Sequence, residues 1–120
     1  MLKYLIFVMS LLAIFYGLFR SDAPPELFKN SDLIGHFIAF LVLCISGFIA
    51  LPARASYAFF CLLLVFSGIA ENLQAALTPV RVFSLLDTQA NIAGALLGVL
   101  FCFSYRRYQL RQSRVSFKNS

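Results

Sequence analysis

The sequence predicts an all-α membrane protein with four transmembrane helices in one bundle and both termini in the cytoplasm. Hydrophobic residues make up 61% of the 120 residues and charged residues only 12%, whereas a soluble domain carries roughly 25% charged residues. Four apolar stretches each approach the roughly 20 residues that cross the hydrocarbon core of a bilayer. The basic residues are divided unevenly between the two ends of these stretches.

The predicted spans cover residues 2–19, 33–51, 55–77 and 86–105, and a basic tail follows over residues 106–120. Each span is predicted to be helical, because lipid offers no partner to an unpaired backbone group. Pro52 and Pro79 lie in the short connections on either side of the third span, where proline ends a helix. The first span has no charged residue between Tyr4 and Phe19, so we expect it to pack and anchor.

The distribution of basic residues predicts the orientation through the positive-inside rule. Seven lie on the side of the termini: Lys3, Arg54, Arg106, Arg107, Arg111, Arg114 and Lys118. Three lie on the other side: Arg20, Lys29 and Arg81. The acidic residues all fall on that second, outer side: Asp22, Glu26, Asp32, Glu71 and Asp87. The net charge of +5 is therefore orientation charge, and the predicted partners are membrane lipids rather than nucleic acid.

Polar residues near the outer ends of three spans form the candidate site. They occur as pairs three or four residues apart, so each pair shares a helix face: Asp32 with His36, Glu71 with Gln74, and Asp87 with Asn91. Glu71 lies about 9 Å from the end of its span, and His36 and Asn91 lie about 6 Å inward from the start of theirs, at 1.5 Å per residue. The predicted ligand-binding set is Asp32, His36, Glu71, Gln74, Arg81, Asp87 and Asn91.

Glu71 is the most informative member of this set, because an acid below the membrane surface is costly unless it is paired or neutral. Arg81, in the loop after the third span, could hold Glu71 or Asp87 in a two-point contact. Gly94 and Gly98 continue the face of the fourth span and permit close helix packing. The polar face should therefore point into the bundle, either as an outward-opening pocket or as a structural lock between helices.

The polar string resembles the VanZ-like family, small bacterial membrane proteins named after a protein linked to low-level teicoplanin resistance. The string is Asp32-x3-His36, Glu71-x2-Gln74, Arg81 and Asp87-x3-Asn91-x2-Gly94-x3-Gly98. Members of that family often carry a lysine close to the histidine, whereas the nearest lysine here is Lys29. The resemblance implies a multi-pass protein of the bacterial cytoplasmic membrane with a role in the cell envelope and in antibiotic resistance.

Three functions remain open at this point. The first is binding of a lipid-linked, phosphate- or carboxylate-bearing envelope ligand, such as a cell-wall precursor, or of a glycopeptide. The second is a membrane enzyme in which Glu71 or Asp32 acts as general acid or base and His36 moves a proton. The third is a structural or assembly partner whose polar cluster only locks the helices. The sequence leaves the oligomeric state open.

Metal and cofactor sites are not predicted. One histidine among scattered carboxylates is a weak metal signature. The three cysteines, Cys44, Cys61 and Cys102, lie far apart in apolar runs and lack the close spacing of metal ligands.

Overall fold

The computed structural model describes residues 1–22, 25 and 27–118. Glu26, two further positions of the predicted loop and the last two residues of the tail lie outside the described residues. Within this part of the chain the fold is all-helical, with α1 at Leu2–Phe19, α2 at Ser31–Ala50, α3 at Ala53–Leu77 and α4 at Leu85–Lys118. Each helix is long and apolar enough to cross a membrane, which confirms the all-α class and the four candidate spans.

The helix ends follow local chemistry. Pro52 precedes α3 in an extended conformation, and α3 ends at Leu77, with the extended C-cap Thr78 before the next proline. Ser84 caps α4, because its Oγ accepts a hydrogen bond from the backbone N–H of Asp87 at 3.2 Å. The sequence predicts that the last span ends at Tyr105, whereas α4 continues through the basic tail to Lys118.

Large hydrophobic side chains cover the outside of the molecule. Leu62 and Val65 on α3 are 69% and 65% exposed, and Leu100 on α4 is 64% exposed. Apolar surface of this extent on every helix is not compatible with water as the surrounding solvent. It indicates a multi-pass membrane protein.

The closest packing in the molecule is between α2 and α4. A Cβ added at Gly94 would collide with the backbone carbonyl of Phe37, and one at Gly98 would lie 2.6 Å from the Cβ of Cys44. Only glycine lets the two backbones approach this closely. The structure therefore confirms that the glycine stripe of α4 is a packing surface, and its partner is α2.

Helix α1 is packed much more loosely. Ile14 and Leu18 are its buried residues, and it contacts α2 and, over a smaller area, α3. A Cβ added at Gly17 on α1 or at Gly35 on α2 would meet nothing within 4 Å. Helix α2 thus has one face pressed against α4 and another that leaves open space beside α1.

Candidate functional site

A polar pocket of about 160 Å³ lies at the end of the molecule where α1 ends and α2 begins. This volume is roughly ten times the 15 Å³ or so that a single water requires. Its lining includes six residues of the predicted set: Asp32, His36, Glu71, Gln74, Arg81 and Asn91. The seventh, Asp87, lies beside them, since one of its carboxylate oxygens is within 4.8 Å of ligand atoms of Asp32 and His36. The structure therefore brings all seven residues together.

His36 is at the centre of this cluster. Its Nδ1 lies 3.0 Å from Oδ1 of Asn91, and an amide oxygen can only accept, so Nδ1 is the donor. The same Nδ1 lies 3.5 Å from Oε1 of Glu71. The other ring nitrogen, Nε2, lies 3.8 Å from Oδ1 of Asp32, one helical turn earlier. His36 therefore connects α2 to both α3 and α4.

The deepest members of the set are nearly inaccessible. Asn91 is 0% exposed, Gln74 is 2% exposed and Glu71 is 4% exposed. Nε2 of Gln74 donates a hydrogen bond to the backbone carbonyl of Gly17 at 3.0 Å, which connects α3 to the last turns of α1. Glu71 faces the interior beside His36 rather than the lipid, as the spacing of polar residues predicts.

The predicted partner of Arg81 is wrong. The sequence favours a two-point contact with Glu71 or Asp87, but Arg81 instead pairs with Asp32, through a single 3.5 Å approach of Nη1 to Oδ2. For Glu71 the physical reason is reach, because Asp32 lies in the first turn of α2 whereas Glu71 lies well before the end of α3 that leads to Arg81.

Two contributions from α1 to the pocket were not predicted. Arg20, directly after α1, and Gly17, in its last turn, both line the pocket. The sequence did contain a signal for Arg20, because it is a cation on the same predicted side of the membrane as Arg81. No signal identified Gly17, whose contribution is a backbone carbonyl.

Several buried polar atoms of the pocket residues have no hydrogen-bond partner among the described residues. Three are donors, namely Nε of Arg20, Nε of Arg81 and Nδ2 of Asn91, and one is an acceptor, Oε1 of Glu71. Glu71 lacks a bond because the Nδ1 hydrogen beside it is given to Asn91. Buried polar groups are normally paired, so the pocket is suited to a group that brings acceptor oxygens to its donors.

The pocket residues also include a set that could bind a cation. Asp32, His36 and Asp87 could together hold a divalent ion, with Nε2 of His36 as the nitrogen ligand. The bond from Nδ1 to Asn91 is the outer support that a metal-bound histidine usually has. However, Arg81 lies against the same Asp32 carboxylate and competes with a cation for it.

No protein-family model, curated protein or solved structure matches this chain. The resemblance to the VanZ-like family therefore stays a prediction from the polar string.

Proposed function

We propose that this chain is a VanZ-like envelope protein whose pocket binds the phosphate or carboxylate headgroup of a lipid-linked ligand. The observation that carries the proposal is the pair of arginines, Arg20 and Arg81, that line the pocket, each with a buried Nε–H that has no partner among the described residues. Guanidinium groups are the preferred partners of phosphate and carboxylate oxygens. A headgroup that also carries a hydroxyl or an amine would give the free oxygen of Glu71 a donor.

The proposal includes an orientation. We place both termini of a four-helix transmembrane bundle in the cytoplasm, because the side of the termini carries most of the lysine and arginine residues. The pocket then opens at the extracytoplasmic face, where envelope lipids expose their headgroups. With the VanZ-like resemblance, this placement extends the proposal to the bacterial cytoplasmic membrane and to teicoplanin susceptibility.

The test compares two lipids with identical chains, phosphatidic acid and diacylglycerol, on the full-length protein in dodecyl maltoside. Native mass spectrometry counts the bound lipid. We expect phosphatidic acid to bind the more tightly, and Arg20→Gln or Arg81→Gln to weaken its binding about tenfold to hundredfold, the loss expected for a hydrogen bond to a charged group. Arg54→Gln is the matched control, because Arg54 is exposed at the opposite end of the molecule.

Three results would count against the proposal. Equal binding of both lipids would show that the pocket does not recognise the headgroup. If the Arg20→Gln and Arg81→Gln proteins fold and bind phosphatidic acid as before, the two arginines do not contact the headgroup. Loss of folded protein in both variants, with Arg54→Gln intact, would favour the structural lock over a binding site.

A membrane enzyme acting on the lipid-linked ligand is the second candidate, and the orientation of His36 favours it. Because Nδ1 donates to Asn91, a neutral ring has its lone pair on Nε2, beside Asp32 and at the pocket. His36→Gln keeps a polar side chain but cannot carry a proton between two nitrogens. If His36→Gln still binds the lipid but no longer affects teicoplanin susceptibility, the pocket is catalytic. If the variant retains both lipid binding and the effect on susceptibility, the pocket only binds the lipid.

A further inference from the structure

A second cavity continues from the polar pocket along the outside of the molecule. This cavity, the α1–α2 groove, has a volume of about 590 Å³ and lies between the facing sides of the first two helices. It shares four lining residues with the polar pocket, two from each helix: Ala13, Ile14, Gly35 and Ala39. The two cavities are therefore parts of one continuous surface.

The α1–α2 groove is lined by hydrocarbon. On α1 it extends from Ile14 to Leu5, a rise of about 14 Å at 1.5 Å per residue. Its one polar residue is Ser10, whose hydroxyl donates to the backbone carbonyl of Ile6 at 2.8 Å and is thus already satisfied. No polar side chain among the described residues that line this groove lacks a hydrogen-bond partner, so the groove is suited to a hydrocarbon chain.

Glycines leave open space where the polar pocket meets the α1–α2 groove. A Cβ at Gly35, which lines both cavities, would meet nothing within 4 Å, and the same is true of Gly17, which lines the polar pocket on α1. Gly94 and Gly98, by contrast, are closed by direct contact with α2. Gly17 and Gly35 therefore do not serve close helix packing. They leave a passage from the bilayer side into the pocket.

We propose that pocket and groove together form one site for a membrane lipid that carries a phosphate. The headgroup occupies the polar pocket, one hydrocarbon chain lies along the α1–α2 groove, and the lipid enters sideways between α1 and α2. This inference rests on the proposed headgroup site and adds the route and the chain. Charge and continuity both select this occupant, because a helix of a second copy would cover the groove and leave the donors of Arg20 and Arg81 unsatisfied.

The experiment locates the chain by photocrosslinking on the full-length protein in dodecyl maltoside. The probes are phosphatidic acid and diacylglycerol, each with a diazirine on one chain. Peptide mapping should find labelling of Leu5, Met9 and Val42 about tenfold stronger with phosphatidic acid, the gain of roughly one charge-assisted hydrogen bond. Labelling of Leu97 and Leu100, on the exposed face of α4, should be equal for the two probes.

The blocking variant is Gly35→Leu, whose side chain would fill the junction. Gly68→Leu is its matched control, because a Cβ at Gly68 on α3 also meets nothing within 4 Å and Gly68 lines neither cavity. We expect Gly35→Leu to abolish the excess labelling in the groove and Gly68→Leu to leave it unchanged. Inorganic phosphate at the concentration of the probe should not displace phosphatidic acid.

Three outcomes would overturn the inference: equal groove labelling by the two probes, excess labelling that survives in folded Gly35→Leu, or displacement by inorganic phosphate at equal concentration. The last outcome would identify a soluble anion as the ligand. If Arg81→Gln weakens phosphatidic acid binding while the groove is not labelled, the headgroup site is supported and entry of the lipid between α1 and α2 is refuted. If neither arginine variant affects binding, the headgroup site itself falls.

Discussion

Nδ1 of His36 lies 3.0 Å from Oδ1 of Asn91, across the interface between α2 and α4. The contact is one helical turn before Gly94, the point where the two backbones come closest. The glycine packing and the histidine–amide bond therefore support each other. Close approach brings the two side chains within bonding distance, and the bond fixes the imidazole ring so that its second nitrogen faces Asp32.

The first prediction concerns this bond. Asn91→Ala removes the acceptor of His36 at a site that is fully buried. We expect it to lower the free energy of unfolding by about 0.6–2 kcal/mol, the range for hydrogen bonds between membrane helices. Asn72→Ala is the control, because Asn72 is an exposed amide on α3 and its removal should cost nothing measurable.

The cysteines provide the measurement for that prediction. Cys44 and Cys102 are buried and Cys61 is exposed, so in a Cys61→Ser background a thiol-reactive fluorophore reports unfolding in detergent. Equal melting temperatures for the Asn91→Ala and Asn72→Ala proteins would show that the His36–Asn91 bond does not stabilise the fold.

The second prediction concerns the glycine contact. A Cβ at Gly94 would collide with the carbonyl of Phe37, which belongs to the backbone and cannot rotate away. Gly94→Ala should therefore separate α2 from α4 and destabilise the protein by about 1–3 kcal/mol, as overpacking does. Gly68→Ala, which enters open space, should be neutral or slightly stabilising in the same melting assay. A Gly94→Ala protein as stable as Gly68→Ala would contradict the packing described here.

The sequence was sufficient to predict the polar residues of the site that lie on α2, α3 and α4. Asp32 and His36, one helical turn apart, face each other at 3.8 Å as their spacing requires. Glu71 could be placed inside because an acid facing hydrocarbon is too costly. These deductions need only the helical repeat and the apolar solvent, and both follow from composition.

The residues that were misjudged are those whose positions depend on loops and on helix packing. The pairing of Arg81 with Asp32 depends on how the connection before α4 folds back over α2, and helical spacing carries no information about it. Arg20 and Gly17 enter the site because α1 lies against α2 and α3. With no charged residue between Tyr4 and Phe19, the sequence of α1 indicated an anchor and provided no reason to place this helix beside the pocket.

The third prediction tests how α1 is held at the pocket. Gln74→Met keeps the length of the side chain but removes its hydrogen bond to the carbonyl of Gly17. Amide hydrogen exchange in the last turn of α1 should then rise about twofold to tenfold, the equivalent of one neutral hydrogen bond. Gln89→Met, at an exposed position on α4, is the control. Unchanged exchange in α1 would mean that apolar contacts alone hold this helix.

The last prediction tests the proposed orientation, on which access to the pocket from outside the cell depends. Cys44 and Cys102 are buried, so a Cys61→Ser background removes the exposed native thiol. Ser21→Cys places a thiol at the pocket end, and Ser113→Cys places one in the basic continuation of α4. Both positions are exposed.

In intact cells a membrane-impermeant maleimide should label Ser21→Cys fully. Ser113→Cys should be labelled only after the membrane is permeabilised, because seven of the ten basic residues hold that side in the cytoplasm. The reverse pattern would turn the pocket toward the cytoplasm. The donor groups of Arg20 and Arg81 would then face anions of the inner leaflet and the cell interior, and an envelope ligand could no longer reach them.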